Sequence, residues 1–378
     1  MARMLAKMGI RITLLILLFH PAALTAQASY LHRPDLQAMA DSCLRHTYGF
    51  QFDQARWFQE ELQKRTPGHP APSFLHALLV YWENFPLTPG EAEESKFLGL
   101  MDESIRLAQD MIPHPETHLE GVFFDLHARA FKAMHHADNG KIGPVVPDLR
   151  SMYSFTREGF GLKDEFIEFY FSTGLYNYYI EAYPEAHPAY KPLVSFMQKG
   201  DKALGLKQLN RVINEGVFLR TEAILFMSLI QLNYEKDLNT AALYAERLFR
   251  EFPKNTYYQG HLVTIQLHRH RYERVDQILR TMDGQNDPYS RLVREYARAF
   301  LAEGSGNQKV ATEGYRRTLF HAEEMGEFAN LFQAMACMGL SRIHASQGQD
   351  AESRRMARQA GSLTKYSFVL EEKNSVSR

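Results

Sequence analysis

The amino-acid sequence predicts an all-α fold, built as a solenoid of antiparallel helix pairs. Apolar residues recur three and four positions apart along most of the chain, which is the period of an amphipathic helix. Glycine and proline pairs interrupt this pattern at short intervals, so the predicted helices are short. Beyond Gly200 the helical pattern itself repeats with a period of about 34 residues, as expected of stacked helix pairs.

Composition and charge place the chain among globular proteins and argue against nucleic-acid binding. Of its 378 residues, 45% are hydrophobic and 12% aromatic, which is enough to bury a large core. The formal net charge is −1. Nucleic-acid binding requires an excess or a cluster of basic residues, so no nucleic-acid partner is expected.

The N-terminus has the order of features found in a secretory signal peptide. Arg3, Lys7 and Arg11 precede the apolar run 12–19, and the small-residue sequence Ala26-Gln27-Ala28 follows. We expect cleavage before Ser29, removal of residues 1–28, and export to the periplasm or the outer-membrane periphery. An uncleaved N-terminal anchor is the alternative. The sequence has no second long apolar run, so no integral membrane span is expected after cleavage.

Only Cys43 and Cys337 are available for disulfide or metal chemistry. Two cysteines are too few for a disulfide framework or a structural zinc site. They lie near opposite ends of the chain, so in an elongated stack they are too far apart to be bridged. We expect both to be free and buried.

The region 29–183 is predicted to be a series of divergent helix pairs. Its helices are expected at about 34–46, 52–66, 73–84, 91–111, 119–136, 148–158 and 164–179. Asp148 is the expected N-cap of the sixth of these helices. The segment 138–147 before it holds two glycines and two prolines and is predicted to be a surface loop, which is a common place for functional residues.

The helix predicted at 164–179 is the most aromatic of the chain and admits two interpretations. It packs a core, or it binds a ligand through Tyr176, Asn177 and Tyr179. Gly174 within it costs about 1 kcal/mol relative to alanine, so we expect another helix to approach closely there. Three prolines four residues apart then mark a junction at 184–199, where we expect the stack to bend.

The region 200–362 contains countable repeats and precedes a polar tail at 363–378. A small or apolar residue opens the second helix of each repeat, at spacings of 36, 34, 36 and 42 residues; these are Gly205, Ala241, Val275, Ala311 and Ser353. Proline follows the small residue by twelve positions in two units, at 67 and 253. This arrangement places a turn after each second helix.

These repeats resemble the tetratricopeptide repeat (TPR) superfamily. The match is clear for 34–67 and 221–253, although Leu225 and Gln259 stand where the family has a tryptophan. A broader likeness to divergent exported bacterial TPR proteins is carried by Gly174, Leu175, Tyr176, Tyr178, Tyr179, Gly200, Asp201, Gly205, Leu206, Leu209, Glu222 and Ala223. The resemblance implies a right-handed α-solenoid that acts as a scaffold for protein–protein interaction, with no catalytic activity.

In TPR proteins the first helix of each pair lines a concave groove that captures a peptide or a partner helix. The resemblance places six residues of this chain in such a groove: Phe226, Ile230, Asn233, Tyr257, Thr264 and Leu267. The same positions could instead form the core between repeats. The partner's identity does not follow from the sequence.

Motifs for catalysis or metal binding give weaker hypotheses. His114 and His118 are separated by Pro115, and the adjacent His135 and His136 diverge on a helix, so we expect no metal and no cofactor. The sequence has no Gly-x-Ser-x-Gly nucleophile motif. A helical-toroid carbohydrate-active enzyme, or a glycan- or small-molecule-binding module, is the alternative to a scaffold.

Overall fold

The structure, a computed structural model, describes residues 30–364 and 366–376. The predicted signal peptide 1–28 lies outside these residues. Within the described residues the chain forms α-helices and short 3₁₀ turns with no β-strand, which confirms the all-α prediction. Helices that follow one another in the sequence pack against each other in pairs.

The described part of the chain contains eighteen α-helices. They are α1 (Pro34–Tyr48), α2 (Phe52–Arg65), α3 (Pro70–Glu83), α4 (Ala92–Met111), α5 (His118–Asp138), α6 (Val146–Leu162), α7 (Phe169–Ala186), α8 (Lys191–Val194), α9 (Lys202–Glu215), α10 (Arg220–Asn233), α11 (Leu238–Glu251), α12 (Thr256–His268), α13 (Tyr272–Thr281), α14 (Pro288–Gly304), α15 (Gln308–Glu324), α16 (Asn330–Ser346), α17 (Asp350–Leu363) and α18 (Ser367–Val376). Short 3₁₀ turns lie at Gly143–Val145, Pro188–Tyr190 and Gly326–Ala329.

Helix starts differ between the two halves of the chain. In the second half, five helices begin at an Asp or Asn whose side chain accepts backbone N–H groups of the first turn; these caps are Asp201, Asp237, Asn255, Asp287 and Asn307. In the first half, three helices have proline in their first turn, and one of them, α3, is also capped by the His69 side chain. Side-chain caps mark helix starts strongly, which explains why the repeats are easier to read beyond residue 200.

The predicted cap at Asp148 is wrong. Helix α6 begins at Val146, so Asp148 lies inside the first turn and makes no cap bond. Its carboxylate instead accepts a hydrogen bond from Arg129 of α5, which also pairs with Asp125. The acid therefore ties α6 to α5.

The aromatic helix α7 runs later than predicted, from Phe169 to Ala186, and continues through Pro184. A proline so near the C-terminal end removes only one hydrogen bond of the helix. The predicted junction therefore starts after α7, where the turn Pro188–Tyr190 and the one-turn helix α8 lead towards α9.

The close helix approach predicted at Gly174 is confirmed. Helix α7 crosses α9 where Gly174 faces Gly205, and a Cβ on Gly205 would lie 2.7 Å from the Gly174 carbonyl oxygen. Beside this crossing Asn177 is buried and donates a hydrogen bond of 2.8 Å to the Gln208 side chain. The two glycines allow the backbones to touch, and the amide pair fixes their register.

The first three helices close against the middle of the repeat region. The buried Tyr48 hydroxyl of α1 donates a hydrogen bond to the Glu222 carboxylate of α10. The Asn255 side chain donates to the Tyr48 carbonyl oxygen at 3.1 Å. Trp82 of α3 packs against Tyr258 of α12, with ring centroids 5.7 Å apart. Segments about two hundred residues apart in sequence thus share one core.

Replacing Tyr48 with phenylalanine is expected to lower the free energy of unfolding by about 2 kcal/mol. The change removes one hydroxyl and leaves the buried Glu222 carboxyl without its donor, while the ring keeps its packing. Chemical denaturation followed by circular dichroism measures the effect. Tyr190, whose ring is exposed, is the control, and Tyr190→Phe should change stability by less than about 0.5 kcal/mol. Equal effects of the two variants would contradict the closing role of Tyr48.

The C-terminal segment predicted as a polar tail instead forms the end of α17 and the helix α18. Val369 of α18 is buried, and Glu371 pairs with Lys236 across from it. The amphipathic pattern of α18 is weak in the sequence because few residues of this short helix are apolar. Packing on α16 and α17 supplies the stability that its sequence lacks.

The prediction for the cysteines is confirmed, since Cys43 and Cys337 are both free and buried. No helix in the described part of the chain is long and apolar enough to cross a membrane.

Candidate functional site

The closure of the chain on itself leaves a central cavity of about 360 Å³. Residues from both halves line it: Tyr81, Trp82, Phe85, Phe131, Met134, Ala137, Asp138, Glu222, Leu225, Phe226, Leu229, Leu232, Tyr257, Tyr258, His261, Thr264, Tyr289, Glu327, Phe328, Asn330, Leu331, Phe332, Ser362, Leu363, Thr364 and Tyr366. The cavity therefore exists only in the folded chain, and no single repeat contains it.

One wall of the cavity is a continuous set of aromatic rings. Phe85, in the loop after α3, is at its centre. Its ring centroid lies 5.3 Å from that of Trp82, 5.7 Å from that of Tyr257, and 5.4 Å from that of Tyr289. On the far side Phe328 packs against Phe85 at 5.5 Å. Such contacts hold the rings in fixed positions and leave their remaining surface available to a ligand.

Among the described residues of the cavity lining, those with a charged side chain are acidic. Among the described residues that line it, three are acids, namely Asp138, Glu222 and Glu327, and none is Lys or Arg. The one other titratable base is His261, where burial lowers the pKa to about 4, so its ring is neutral at pH 7. The cavity is consequently both aromatic and electronegative.

Asp138, the last residue of α5, is an exposed acid at the edge of the cavity. No described residue donates a hydrogen bond to its carboxyl or forms an ion pair with it. Desolvation of the carboxyl raises its pKa to about 7. Its charge in turn contributes, after burial, to the raised pKa of Tyr366, which reaches about 12. Asp138 thus lies among phenol groups and within reach of any occupant.

The other two acids differ in burial. Glu222 is buried, its Oε1 accepts the Tyr48 hydroxyl, and its Oε2 is buried without a hydrogen-bond partner among the described residues. Burial raises its pKa to about 7. Glu327 is exposed and lies directly against Gly140, where a Cβ would come within 2.1 Å of its carboxylate.

A serine and a histidine meet beside the cavity, but the pair is not arranged for catalysis. The Ser228 hydroxyl donates to the Ala241 carbonyl oxygen at 2.8 Å. It lies 2.8 Å from His261 Nε2, which must then donate to it. A nucleophilic serine needs the opposite arrangement, in which histidine accepts the hydroxyl proton. Ser228 is also fully buried, so these contacts fix α10, α11 and α12 to one another.

A second, more open cleft of about 630 Å³ lies on the other side of Leu229 and Tyr366, which line both spaces. Helices α7 and α18 and the α10–α11 turn form its walls. We name it the outer cleft. Because Leu229 and Tyr366 separate it from the central cavity, movement of these two side chains would connect them.

The structure divides the nine predicted site residues among five places. Phe226, Tyr257 and Thr264 line the central cavity, and Tyr179 and Asn233 line the outer cleft. Asn177 is buried between α7 and α9, and Ile230 and Leu267 are fully buried in the core. Tyr176 lies apart from both spaces and donates to the Gln198 carbonyl oxygen at 2.8 Å.

Sequence reasoning missed the part of the cavity that comes from the first half of the chain. Trp82 was expected to pack within the helix predicted at 73–84, Phe85 was not considered, and Asp138 began the predicted surface loop. The sequence signal that could have drawn attention to Asp138 is its place at the end of an apolar helix. Nothing in the sequence indicates that α3 and α5 meet α10, α12 and α16.

Three potential metal ligands lie behind the Tyr81 side of the cavity. Glu94 of α4 and His135 and His136 of α5 bring one ligand atom each within 4.8 Å of the others. The His135 ring contacts Tyr81 edge-on, with centroids 6.3 Å apart. The prediction that adjacent histidines diverge did not consider a third residue from α4 reaching towards both.

Comparison with known proteins adds no assignment, because no family model matches the sequence and no curated protein is significantly similar to it. The geometry of the described residues is therefore the basis for the function proposed below.

Proposed function

We propose that this protein binds a small organic cation in its central cavity. The observation that carries the proposal is the unpartnered Asp138 carboxyl in an aromatic cavity whose described lining contains no Lys or Arg. This is the small-molecule-binding alternative to the scaffold role predicted from the sequence. In this proposal the packed helices form the frame that holds the cavity.

The volume of the cavity suits a small ligand, between a few non-hydrogen atoms and the size of a drug molecule. Small-molecule sites span about 300–1,000 Å³, and this cavity of about 360 Å³ is near the lower end. An α-helix has a diameter of about 10 Å with side chains and needs a long open groove. A helical partner therefore does not fit here, whereas a compact amine or quaternary ammonium does.

The lining supports a cation in two ways. The faces of Trp82, Tyr257 and Tyr289 attract positive charge through their ring quadrupoles, an effect worth up to about 2 kcal/mol when the cation is desolvated. The Asp138 carboxylate supplies an opposite charge at the edge of the cavity. A neutral ligand of the same shape gains neither contribution.

The pKa of Asp138 makes the proposed binding depend on pH. Its carboxyl is mostly protonated below about pH 7 and ionised above it. A permanent cation prefers the ionised form, so affinity should rise as the pH increases through about 7. About one unit below that pKa roughly a tenth of the carboxyl is ionised, and affinity should fall about tenfold.

The test is a titration of the protein with choline and with its neutral tert-butyl analogue. Trp57 is 58% exposed and Trp82 lines the cavity, so Trp57→Phe leaves Trp82 as the fluorescent reporter. We expect choline to bind at least about tenfold more tightly than the analogue at about pH 8. Asp138→Asn should remove both this preference and its pH dependence.

Asp283→Asn is the matched control, because Asp283 is exposed and lies outside the cavity. It should bind choline as tightly as the parent does. If choline and the neutral analogue bind equally in the parent, or if Asp138→Asn keeps the preference for choline, the cavity does not select cations and the proposal fails.

A scaffold role with TPR-like repeats is the second candidate, and exposed apolar residues favour it. Trp57 and Leu243 occupy equivalent positions, each two residues after the small residue of its second helix, and they are 58% and 70% exposed. If a protein partner covers the face that carries Trp57 and Leu243, changing both residues to glutamate should abolish its binding. Cross-linking with the parent and with this double variant measures the loss, and choline binding checks that the variant is folded.

A further inference from the structure

We propose that Glu94, His135 and His136 form a binding site for one first-row divalent metal ion, with Zn²⁺ as the best fit. The three side chains come from the first turn of α4 and the last turn of α5. The inference does not depend on the proposed function, since none of the three residues lines the central cavity.

The ligand atoms already lie close together. Glu94 Oε1 is 2.9 Å from His135 Nε2, and ligand atoms of all three residues lie within 4.8 Å of one another. Two ligands bound to one Zn²⁺ at about 2.0–2.1 Å are about 3.3 Å apart in a tetrahedral arrangement. Only small side-chain movements are thus needed to admit the ion.

His136 supplies the observation that points to a ligand. Its Nδ1 atom is buried and has no hydrogen-bond partner among the described residues. A buried polar atom without a partner costs about 1–3 kcal/mol, so such atoms are uncommon unless something satisfies them. A metal ion bound beside Glu94 would satisfy one of the two ring nitrogens of His136.

Neighbouring groups hold the other two ligands in place. The Gly90 N–H donates to Glu94 Oε2 at 2.5 Å, which leaves Oε1 directed at the histidines. The Asn139 side chain lies 3.5 Å from His135 Nδ1. When the metal takes His135 Nε2, the ring proton moves to Nδ1. The Asn139 amide nitrogen, which also donates to the His135 carbonyl oxygen at 2.9 Å, must then turn away from the ring.

The ligand set selects the kind of metal. Two imidazole nitrogens and one carboxylate oxygen suit Zn²⁺ and its first-row neighbours, whereas Mg²⁺ and Ca²⁺ prefer oxygen ligands throughout. Three protein ligands leave at least one coordination position for water.

Lys141 competes with the metal for Glu94. Its ammonium lies 3.4 Å from Glu94 Oε1, and its side chain is 43% exposed. A long, exposed side chain can move into solvent when a divalent ion takes its place. Replacing Lys141 with methionine should therefore tighten metal binding, because it removes a positive charge beside the site.

Isothermal titration of ZnCl₂ into the chelator-treated full chain tests the site. We expect one equivalent to bind, and His136→Ala to weaken binding at least about tenfold. His136→Ala removes no hydrogen bond of Nδ1, so it is the variant least expected to unfold. Lys141→Met should bind more tightly than the parent. His114→Ala, which changes an exposed histidine, should bind as the parent does.

Co²⁺ gives a second readout, since its visible d–d absorption reports coordination by nitrogen in a low-symmetry site. The parent protein should show this band and the His136→Ala variant should not. The proposal fails if the parent binds no Zn²⁺, or if His136→Ala binds it as tightly as the parent. A lower affinity of Lys141→Met for Zn²⁺ would also overturn the proposal. It would mean that the ion pair between Lys141 and Glu94 is purely structural.

Discussion

Replacing Glu168 with alanine is expected to lower the free energy of unfolding by about 4 kcal/mol. Glu168 is buried just before α7, and its carboxylate accepts the backbone N–H groups of Val217, Phe218 and Leu219 at 2.5, 2.9 and 3.1 Å. These three residues lead into α10. Alanine would leave all three N–H groups buried without an acceptor, and each costs about 1–3 kcal/mol.

Denaturant unfolding of the parent and the variant measures this loss. Glu165→Ala is the matched control, because Glu165 is three residues away and exposed, and it should change stability by less than about 0.5 kcal/mol. Glu168→Gln keeps one acceptor oxygen and should fall between the alanine variant and the parent. If Glu168→Ala were as stable as Glu165→Ala, the loop into α10 would not depend on this carboxylate.

Replacing Gly205 with alanine is expected to destabilise the protein by about 2 kcal/mol, although alanine favours helices. The higher helix propensity of alanine would by itself stabilise the protein by about 1 kcal/mol. A Cβ at this position, however, would lie 2.7 Å from the Gly174 carbonyl oxygen and 2.8 Å from the Tyr178 backbone nitrogen. Both are backbone atoms, so α7 and α9 must separate, and overpacking of this kind costs about 1–3 kcal/mol.

Gly99→Ala provides the contrast for this measurement. Gly99 is exposed on α4, and a Cβ there would have no neighbour within 4 Å. The Gly99→Ala variant should gain up to about 1 kcal/mol of stability. The midpoint of thermal unfolding should therefore shift in opposite directions for the two variants. A gain in stability for Gly205→Ala would show that the α7–α9 crossing can open without cost.

Much of the local structure could be predicted from the sequence. The apolar period placed most helices of the first half within a few residues of their observed ends. The close approach at Gly174 followed from the cost of glycine in a helix. These features depend on neighbouring residues, so a short stretch of sequence contains the information they need.

The errors arose where distant contacts override local preference. Asp148 looked like a cap but pairs with Arg129, and Pro184 looked like a helix end but lies within α7. The segment 363–378 was predicted as a polar tail, and within it α18 buries Val369. In each case the energy comes from a partner elsewhere in the chain.

The sequence by itself determined that the described part of this protein is all-helical and that its two cysteines are buried and free. Only the tertiary structure decided that α1–α3 close against α10–α12, which creates the cavity around Asp138 and leaves Glu94 facing the paired histidines. Helix formation is a local property of periodic sequence. A cavity or a ligand cluster depends instead on which helix faces meet, and that is set by packing between residues far apart in the chain.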